Sequence, residues 1–310
     1  MISSFQYIAK NGQIVLVLGL IGGLVFQGLA SAMRPWLSEL VMLLLAFSAL
    51  RIGFSDGVKV LGQMKETLLI VFVYQVIFPL IGVGFFIFFG LGETVIAMVI
   101  TMVLASPSIT GVTNFAIMLG HRPEPTFRVL VLGTFCLPIT IIPVLWFLPA
   151  AGSLNEVLWI SIELTTLMGL SIALGFIFRA VLIPELSSDR KMVLDGGSTV
   201  LLAVIVVGLM SSIAPTFDEN PKALMFWLLV AFSVNYGLQL ITHMIFRMVG
   251  VGSQDASIAI VAGNRNVAIF LMATAVSDSE EFLIFLSCYQ VPMYLTPILM
   301  RWMYKRNRGN

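Results

Sequence analysis

The sequence contains little charge and almost no cysteine or histidine. Of its 310 residues, 11% are charged, two are cysteine and two are histidine. A soluble domain of this length would need far more charged side chains to cover its surface. Cys136 and Cys288 both lie in apolar segments, which indicates neither a disulfide framework nor a metal site. The composition therefore argues against a soluble, disulfide-stabilised or metal-centred protein.

Little in the sequence indicates a catalytic or a nucleic-acid-binding site. It has no His-Glu-x-x-His motif, so no zinc protease site of that type is predicted. Its net charge is +1, and no basic run suggests a nucleic-acid partner. We therefore expect no enzymatic activity, no cofactor, no metal and no nucleic acid.

Apolar residues are abundant and make up 59% of the chain. They form runs of membrane-spanning length that are separated by short polar linkers or by Pro and Gly. These runs predict an all-α membrane protein that lies in the lipid bilayer and forms one domain over residues 1–310. The ten predicted transmembrane helices cover residues 13–31, 37–54, 66–90, 94–119, 126–148, 155–180, 195–214, 222–247, 256–276 and 281–303.

The distribution of Lys and Arg predicts the orientation of these helices. If the N-terminus is cytoplasmic, fourteen Lys and Arg residues lie on the cytoplasmic side, and only Arg34 and Lys222 lie outside. Cytoplasmic loops are enriched in these residues, so we expect both termini in the cytoplasm. The remaining cation, Arg265, falls within the ninth span. We expect an integral, multi-pass protein of a bacterial-type cell (inner) membrane.

Two patterns in the first half of the chain recur in the second half. Pro138 and Pro143 in the fifth span match Pro292 and Pro297 in the tenth, 154 residues later, although paired prolines also occur as simple kinks. The polar interruptions of the fourth and ninth spans end at asparagines 152 residues apart. Because five spans is an odd number, the second half would enter the membrane inverted. The sequence thus predicts two inverted five-helix repeats, about 13–148 and 155–303, with broken helices four and nine crossing at mid-membrane.

The two polar interruptions supply the candidate site. Pro107 and Gly111 disrupt the fourth span, and Gly263 precedes the charged part of the ninth. Non-helical backbone is tolerated at membrane depth only where protein buries it or it lines a cavity, although Ser, Thr and Asn also simply join helices. Asn235 and Gln239, one turn apart on the eighth span, could face the same place. The candidate substrate- or ion-binding residues of the interruptions are Thr110, Thr113, Asn114, Asn264, Arg265 and Asn266.

These features together resemble the bile acid:sodium symporter family. The likeness lies in the ten spans, the interruption from Ser106 to Asn114, the Gly-x-x-Asn interruption from Gly263 to Asn266, and Gln75 on the third span. The resemblance implies a core of spans 3–5 and 8–10, a panel of spans 1, 2, 6 and 7, and a substrate between them. It also implies Gln75 in the site, sodium sites behind the crossing, and alternating-access transport of a small organic anion.

The sequence departs from that family where sodium would bind. The family carries a glutamate, three residues and then Gln-Asn in span nine. Aligning the asparagine with Asn266 places Val261 at the glutamate and Arg265 at the glutamine. Since a guanidinium would repel a nearby sodium ion, we predict that Arg265 replaces the ion. Transport would then be sodium-independent and driven by protons or by the substrate gradient.

Arg265 has two other interpretations. An arginine fork suits a carboxylate, so Arg265 could bind the anionic substrate directly. It could also form a structural ion pair with Glu163, the only carboxylate well inside an apolar span. For the whole chain, the alternatives to a symporter-like transporter are an auxin-efflux-type organic acid carrier and a membrane receptor or sensor of a small ligand.

Overall fold

The computed structural model describes residues 2–52, 64–109, 111–151, 153–183, 186–249, 255–272 and 279–304. Almost all of these residues are helical. The α-helices, in chain order, are α1 (Ile2–Lys10), α2 (Gly12–Val25), α3 (Gln27–Met33), α4 (Leu37–Ile52), α5 (Met64–Phe72), α6 (Phe78–Phe88), α7 (Val95–Ala105), α8 (Val112–Met118), α9 (Pro123–Phe147), α10 (Leu154–Leu182), α11 (Ser188–Leu209), α12 (Ile213–Glu219), α13 (Pro221–Val249), α14 (Asp255–Gly263), α15 (Glu280–Leu299) and α16 (Arg301–Tyr304).

Short turns of other helical types lie between several of these helices. A π-helical turn, Val73–Ile77, joins α5 to α6 without a gap. The 3-10 turns are Arg34–Trp36, Pro149–Ala151, Met210–Ser212 and Val267–Met272.

Within the residues that the structure describes, seven helical segments are long and apolar enough to cross a membrane, judged by length and composition. The pair α1 and α2 makes an eighth if its 91° bend is counted within one span. Many large apolar side chains are also exposed, as expected of helices that face lipid. The chain therefore has the all-α architecture of a multi-pass membrane protein. The seven segments are Gln27–Arg51, Lys65–Phe88, Pro123–Phe147, Leu158–Leu182, Ser188–Glu219, Pro221–Met248 and Glu280–Leu299.

The fourth and ninth predicted spans are not among these segments because each is interrupted. In the fourth, the helix stops at Ala105 and a second one begins at Val112. In the ninth, α14 stops at Gly263, and the chain resumes as a 3-10 turn at Val267–Met272. The structure thus has the helix breaks that the sequence predicts in these two places.

The chain divides into two compact units, and the first contains residues 1–61, 162–225 and 268–287. Its centre is α11, which packs against α1, α2, α3 and α4. Glycines allow helices of this unit to approach closely. On α11, a Cβ at Gly196 would collide with the carbonyl of Phe5 in α1, and on α10, a Cβ at Gly175 would collide with the carbonyl of Ala46 in α4. A half-exposed ion pair between Arg51 and Asp195 joins α4 to α11.

The start of the first unit differs from the predicted boundaries. The sequence predicts a first span that runs unbroken over residues 13–31, whereas the helix is interrupted at Phe26, whose φ of −102° and ψ of 67° are not helical. The Gln27 side chain donates to the carbonyls of Gly23 and Leu24, both at 3.0 Å, and so caps the end of α2. Pro35 lies in the 3-10 turn Arg34–Trp36, which continues directly into α4 at Leu37. Proline is tolerated there because the N–H that it lacks is not needed in a first helical turn.

The second unit contains residues 62–161, 226–267 and 288–310. Its central helix is α9, which packs against α5, α8 and α14. Pro138 and Pro143 both lie inside α9, and Pro292 and Pro297 lie inside α15. The two helix breaks belong to this unit, and they hold the candidate site.

Candidate functional site

The first break follows α7 and comprises residues 106–109. Proline disfavours the helical conformation of the residue before it, and Ser106, which precedes Pro107, is extended with φ −61° and ψ 147°. The Ser106 hydroxyl donates to the Met102 carbonyl at 2.6 Å, which satisfies one acceptor of the last helical turn. The remaining carbonyls at this helix end are directed towards the break.

The second break follows α14 and comprises residues 264–266. The glycine before it, Gly263, is required because a Cβ there would collide with the backbone carbonyl of Asn235. The Asn264 side chain turns back and donates to the Ile260 carbonyl at 2.7 Å. This side chain therefore caps its own helix and allows the chain to leave the helical path.

The two breaks pair with each other in antiparallel orientation. Ser108 and Arg265 form an antiparallel bridge. The Ile109 N–H donates to the Asn264 carbonyl at 3.1 Å, and the Asn266 N–H donates to the Pro107 carbonyl at 2.7 Å. These bonds satisfy backbone groups that leaving the helix would otherwise leave unpaired in a buried place. We call residues 106–109 and 264–266 the paired breaks.

Arg265 lies at the C-terminal ends of both interrupted helices. Its side chain is 2% exposed. Nε donates to the Ala262 carbonyl at 2.7 Å, in the last turn of α14, and Nη1 donates to the Ser106 carbonyl at 2.9 Å, just beyond α7. The guanidinium carbon lies 4.7 Å from the centre of the Tyr74 ring. One side chain thus joins both breaks.

These contacts explain how a buried cation is stabilised in this place. A helix C-terminus carries a partial negative charge, and a cation there gains about 0.3–1 kcal/mol, or about 2 kcal/mol when partly buried. Hydrogen bonds to a charged group contribute about 1.5–3 kcal/mol each, and a desolvated cation–π contact about 2 kcal/mol. Together these terms exceed the roughly 2.5–3.5 kcal/mol that insertion of an arginine costs. Main-chain carbonyls and an aromatic ring therefore suffice to stabilise Arg265.

Three carbonyl groups at the end of α14, those of Ile260, Ala262 and Gly263, accept hydrogen bonds from protein donors. Asn264 takes the Ile260 carbonyl and Arg265 takes that of Ala262. The Gly263 carbonyl accepts from both the Asn235 amide and the Tyr289 hydroxyl. A carbonyl oxygen has two lone pairs, so both lone pairs of Gly263 are used within the protein.

Gln75, predicted from the family resemblance, is buried in the π-helical turn of the second unit. Its Nε2 donates to the Gly133 carbonyl at 3.0 Å, and its Oε1 accepts from the Thr140 hydroxyl at 3.1 Å. Single π-turns inside α-helices often occur at functional sites. The side chain of Gln75 is thus held between α9 and its own helix.

The other predicted site residues have different positions. Thr113 lies in the first turn of α8, and its buried hydroxyl has no hydrogen-bond partner within the described residues. Asn266 contributes its backbone N–H to the paired breaks. Asn114 lies in α8, but its side chain, like the whole of Thr110, falls outside the described residues. Glu163 belongs to the first unit, and its pairing with Arg265 stays a prediction.

Two tyrosines at the site were missed at the sequence level. Tyr74 contacts the guanidinium, and its hydroxyl donates to the Ile258 carbonyl at 3.2 Å. Tyr289 donates to the Gly263 carbonyl. Aromatic residues in apolar helices are usually explained by packing, so the residue type alone does not indicate a site. Two features of the sequence could have indicated these tyrosines: Tyr74 is adjacent to Gln75, and Tyr289 lies close to the paired prolines.

No protein-family model and no curated protein matches this sequence. The resemblance to the bile acid:sodium symporter family therefore stays a prediction from its motifs.

Proposed function

We propose that this chain is a secondary transporter that moves a small organic anion across a membrane by alternating access. Several of its helices have membrane-spanning length and composition. Two apolar segments are interrupted, and the interruptions pair with each other in a buried place. Broken helices that meet in this way are typical of transporter binding sites, where helix ends and unwound backbone bind ions or substrate.

The observation that carries the proposal is the position of the Arg265 guanidinium at two helix C-termini. Unwound carbonyls and helix C-terminal ends are the groups that bind coupling cations in broken-helix transporters. Here Arg265 donates to the carbonyls of Ala262 and Ser106. The neighbouring Gly263 carbonyl is taken by two further donors. We propose that Arg265 acts as a tethered cation in place of sodium and that transport does not depend on sodium.

The proposed topology has ten spans in two inverted five-helix repeats, with both termini in the cytoplasm. In the described part of the chain, seven membrane-length helices, the bent pair α1–α2 and the two interrupted segments together make ten. The division into units supports a panel and a core. Spans 1, 2 and most of 6 and 7 belong to the first unit, and spans 3 to 5 and most of 8 belong to the second. The ninth and tenth spans are divided between the units.

A second role for Arg265, direct binding of the substrate anion, is favoured by one observation. Nη2 is buried and has no hydrogen-bond partner among the described residues. An unsatisfied buried donor is costly, and a carboxylate oxygen would satisfy it. The two roles are compatible, since Nε and Nη1 hold the helix ends while Nη2 remains available.

The proposal is tested by uptake into proteoliposomes. Small carboxylates that raise the melting temperature of the purified protein are first selected, because a ligand that binds the folded state stabilises it. Uptake of these compounds is then measured in sodium, potassium and choline buffers. We expect equal uptake in all three, and a loss of at least about tenfold in Arg265→Ala because a buried charge near the site is lost. Arg34→Ala, which changes an exposed arginine, is the matched control and should retain uptake.

Two outcomes would contradict the proposal, and they differ. Uptake that rises steeply with sodium would show that Arg265 does not replace the ion, although the chain would remain a transporter. Stabilising carboxylates that are bound but never taken up would indicate a receptor instead of a transporter.

A further inference from the structure

A buried network of amides and hydroxyls connects α13 and α15 to the second break. Gln239 Nε2 donates to Asn235 Oδ1 at 2.8 Å and to Thr296 Oγ1 at 3.2 Å. Thr296 in turn donates to Asn264 Oδ1 at 3.2 Å. All four side chains are fully buried. Buried polar networks whose members are satisfied make a structure rigid and specific.

The network holds Asn264 from both ends of its amide. Its Nδ2 donates to the Ile260 carbonyl, and its Oδ1 accepts from Thr296. The backbone carbonyl of the same residue accepts the Ile109 N–H of the first break. Asn264 thus carries bonds of both the network and the paired breaks, and the next residue along the chain is Arg265.

The Thr296 hydroxyl is the link between α15 and this asparagine. It has a single hydrogen and three acceptors within reach, namely Pro292 O at 3.1 Å, Asn264 Oδ1 at 3.2 Å and Asn235 Oδ1 at 3.5 Å. Valine has the shape of threonine without the hydroxyl. Thr296→Val would leave Asn264 Oδ1 buried without this donor, which is more costly than losing an exposed hydrogen bond.

The network also reaches the last helix of the described chain. Tyr304, which is 2% exposed, donates from its hydroxyl to Gln239 Oε1 at 3.1 Å. The backbone carbonyl of Tyr304 is 2.8 Å from a ring nitrogen of His121, in the loop after α8. The chain of contacts therefore runs from α16 through Gln239 and Thr296 to Asn264.

We propose that Thr296 and Gln239 are positioning residues for the paired breaks. They fix Asn264, which keeps the two breaks in register and the Arg265 guanidinium at both helix ends. Tyr304 extends this support to the C-terminal helix. Only the consequence for transport rests on the proposed function, since the structural effect can be measured without any substrate.

Amide hydrogen exchange in the purified full-length protein tests the structural effect. The amides of Ile109 and Asn266 report directly on the pairing of the breaks. In Thr296→Val we expect both to exchange at least about tenfold faster, because a buried acceptor loses its donor. Thr296→Ser, which keeps the hydroxyl, should restore exchange to within about threefold of the wild type. A response at Ile109, far from residue 296 in sequence, would not follow from local loosening of α15.

Thr101→Val is the matched control for this test. Thr101 lies on α7 and is as buried as Thr296, but its hydroxyl has no hydrogen-bond partner within the described residues. The same substitution there should leave exchange at Ile109 and Asn266 unchanged. If Thr296→Val does not fold, Tyr304→Phe removes a more distant link and should accelerate exchange at the same two amides by about threefold.

The proposal is overturned if the variants of Thr296 and Tyr304 leave exchange at the paired breaks as in the wild type. It is also overturned if Thr101→Val has the same effect as Thr296→Val. Where transport is observed, Thr296→Val should lower its maximal rate and Thr296→Ser should restore it. Faster exchange in a protein that transports nothing would support the positioning role and contradict the proposed function.

Discussion

Replacing Arg265 by alanine removes a buried cation from the ends of two helices. The carbonyls of Ala262 and Ser106 lose their donors, and the Tyr74 ring loses the guanidinium that lies 4.7 Å from its centre. A space of guanidinium shape is left beside a partial negative charge from both helices. This variant therefore tests whether the charge at this place is what holds the paired breaks together.

The expected loss of stability follows from these contacts. Two hydrogen bonds to a charged group contribute about 1.5–3 kcal/mol each, and the contact with Tyr74 about 2 kcal/mol. The alanine variant recovers the cost of inserting the charge, about 2.5–3.5 kcal/mol. The net loss is about 2–5 kcal/mol, which lowers the melting temperature by about 4–10 °C at about 2 °C per kcal/mol.

Free guanidinium should restore part of this stability. At low millimolar concentration, well below the denaturing range, the ion can enter the vacated space and donate to the same two carbonyls. A ligand at about ten times its dissociation constant stabilises by about 1.4 kcal/mol, which corresponds to about 3 °C. The assay is a thermal unfolding curve with guanidinium chloride against sodium chloride at equal ionic strength.

Arg265→Met is the control for this rescue, because it removes the charge and fills the space. We expect guanidinium to raise the melting temperature of Arg265→Ala but not of Arg265→Met or the wild type. Equal stabilisation of all three proteins would refute the reasoning, since it would reflect a general salt effect. A fully stable Arg265→Ala would also refute it, because the hydrogen bonds to Ala262 and Ser106 would then contribute nothing.

Three further variants or conditions test neighbouring features. Tyr74→Leu should destabilise the protein by about 2 kcal/mol more than Tyr74→Phe, because only phenylalanine keeps a ring beside the guanidinium. Thermal unfolding measures the two losses of stability, and equal losses would contradict a contribution from the ring. Gly263→Ala should prevent folding, because the added Cβ would collide with the Asn235 carbonyl. Gly237→Ala on α13 is the control, since its Cβ would meet nothing within 4 Å and the change should be neutral or slightly stabilising. Fluorescence-detected gel filtration distinguishes a folded from an unfolded variant. Hydrogen bonds from the N-cap serine of α10 lower the pKa of the exposed Glu156, so this cap contributes stability above the usual pKa of glutamate and loses it as the pH falls through the lowered value. The protection factors of amides at the start of α10, which correct for the intrinsic pH dependence of exchange, should fall at acidic pH, and protection factors that do not change with pH would contradict this.

The location of the helix breaks could be predicted because residues with backbone restrictions mark them. Pro107 restricts the residue before it, and the helix ends at Ala105. Gly263 ends α14 at a contact that no side chain can occupy. The interruption at Phe26 was not predicted, because the stabilising groups there are carbonyls capped by the Gln27 amide. Glutamine is also common in helix interiors, so its presence in the sequence does not indicate a cap.

The stabilisation of Arg265 could not be predicted from residue types. Residue types suggest an opposite charge as the partner of a buried cation, and Glu163 is the candidate that they offer. The partners of Nε and Nη1 in the described part of the chain are the main-chain carbonyls of Ala262 and Ser106, and every residue has such a carbonyl. Only the backbone path, set by the two breaks, turns these carbonyls towards one point.

A tethered cation has a consequence that a bound ion does not have. A sodium ion couples transport to its own gradient because it binds on one side of the membrane and dissociates on the other. Arg265 cannot dissociate, and the helix ends that it neutralises stay neutralised in every state that keeps its bonds to Ala262 and Ser106. In the proposed mechanism, transport is then driven by protons or runs down the substrate's own gradient. The residue that stabilises the paired breaks is therefore the same one that removes sodium coupling from the proposed mechanism.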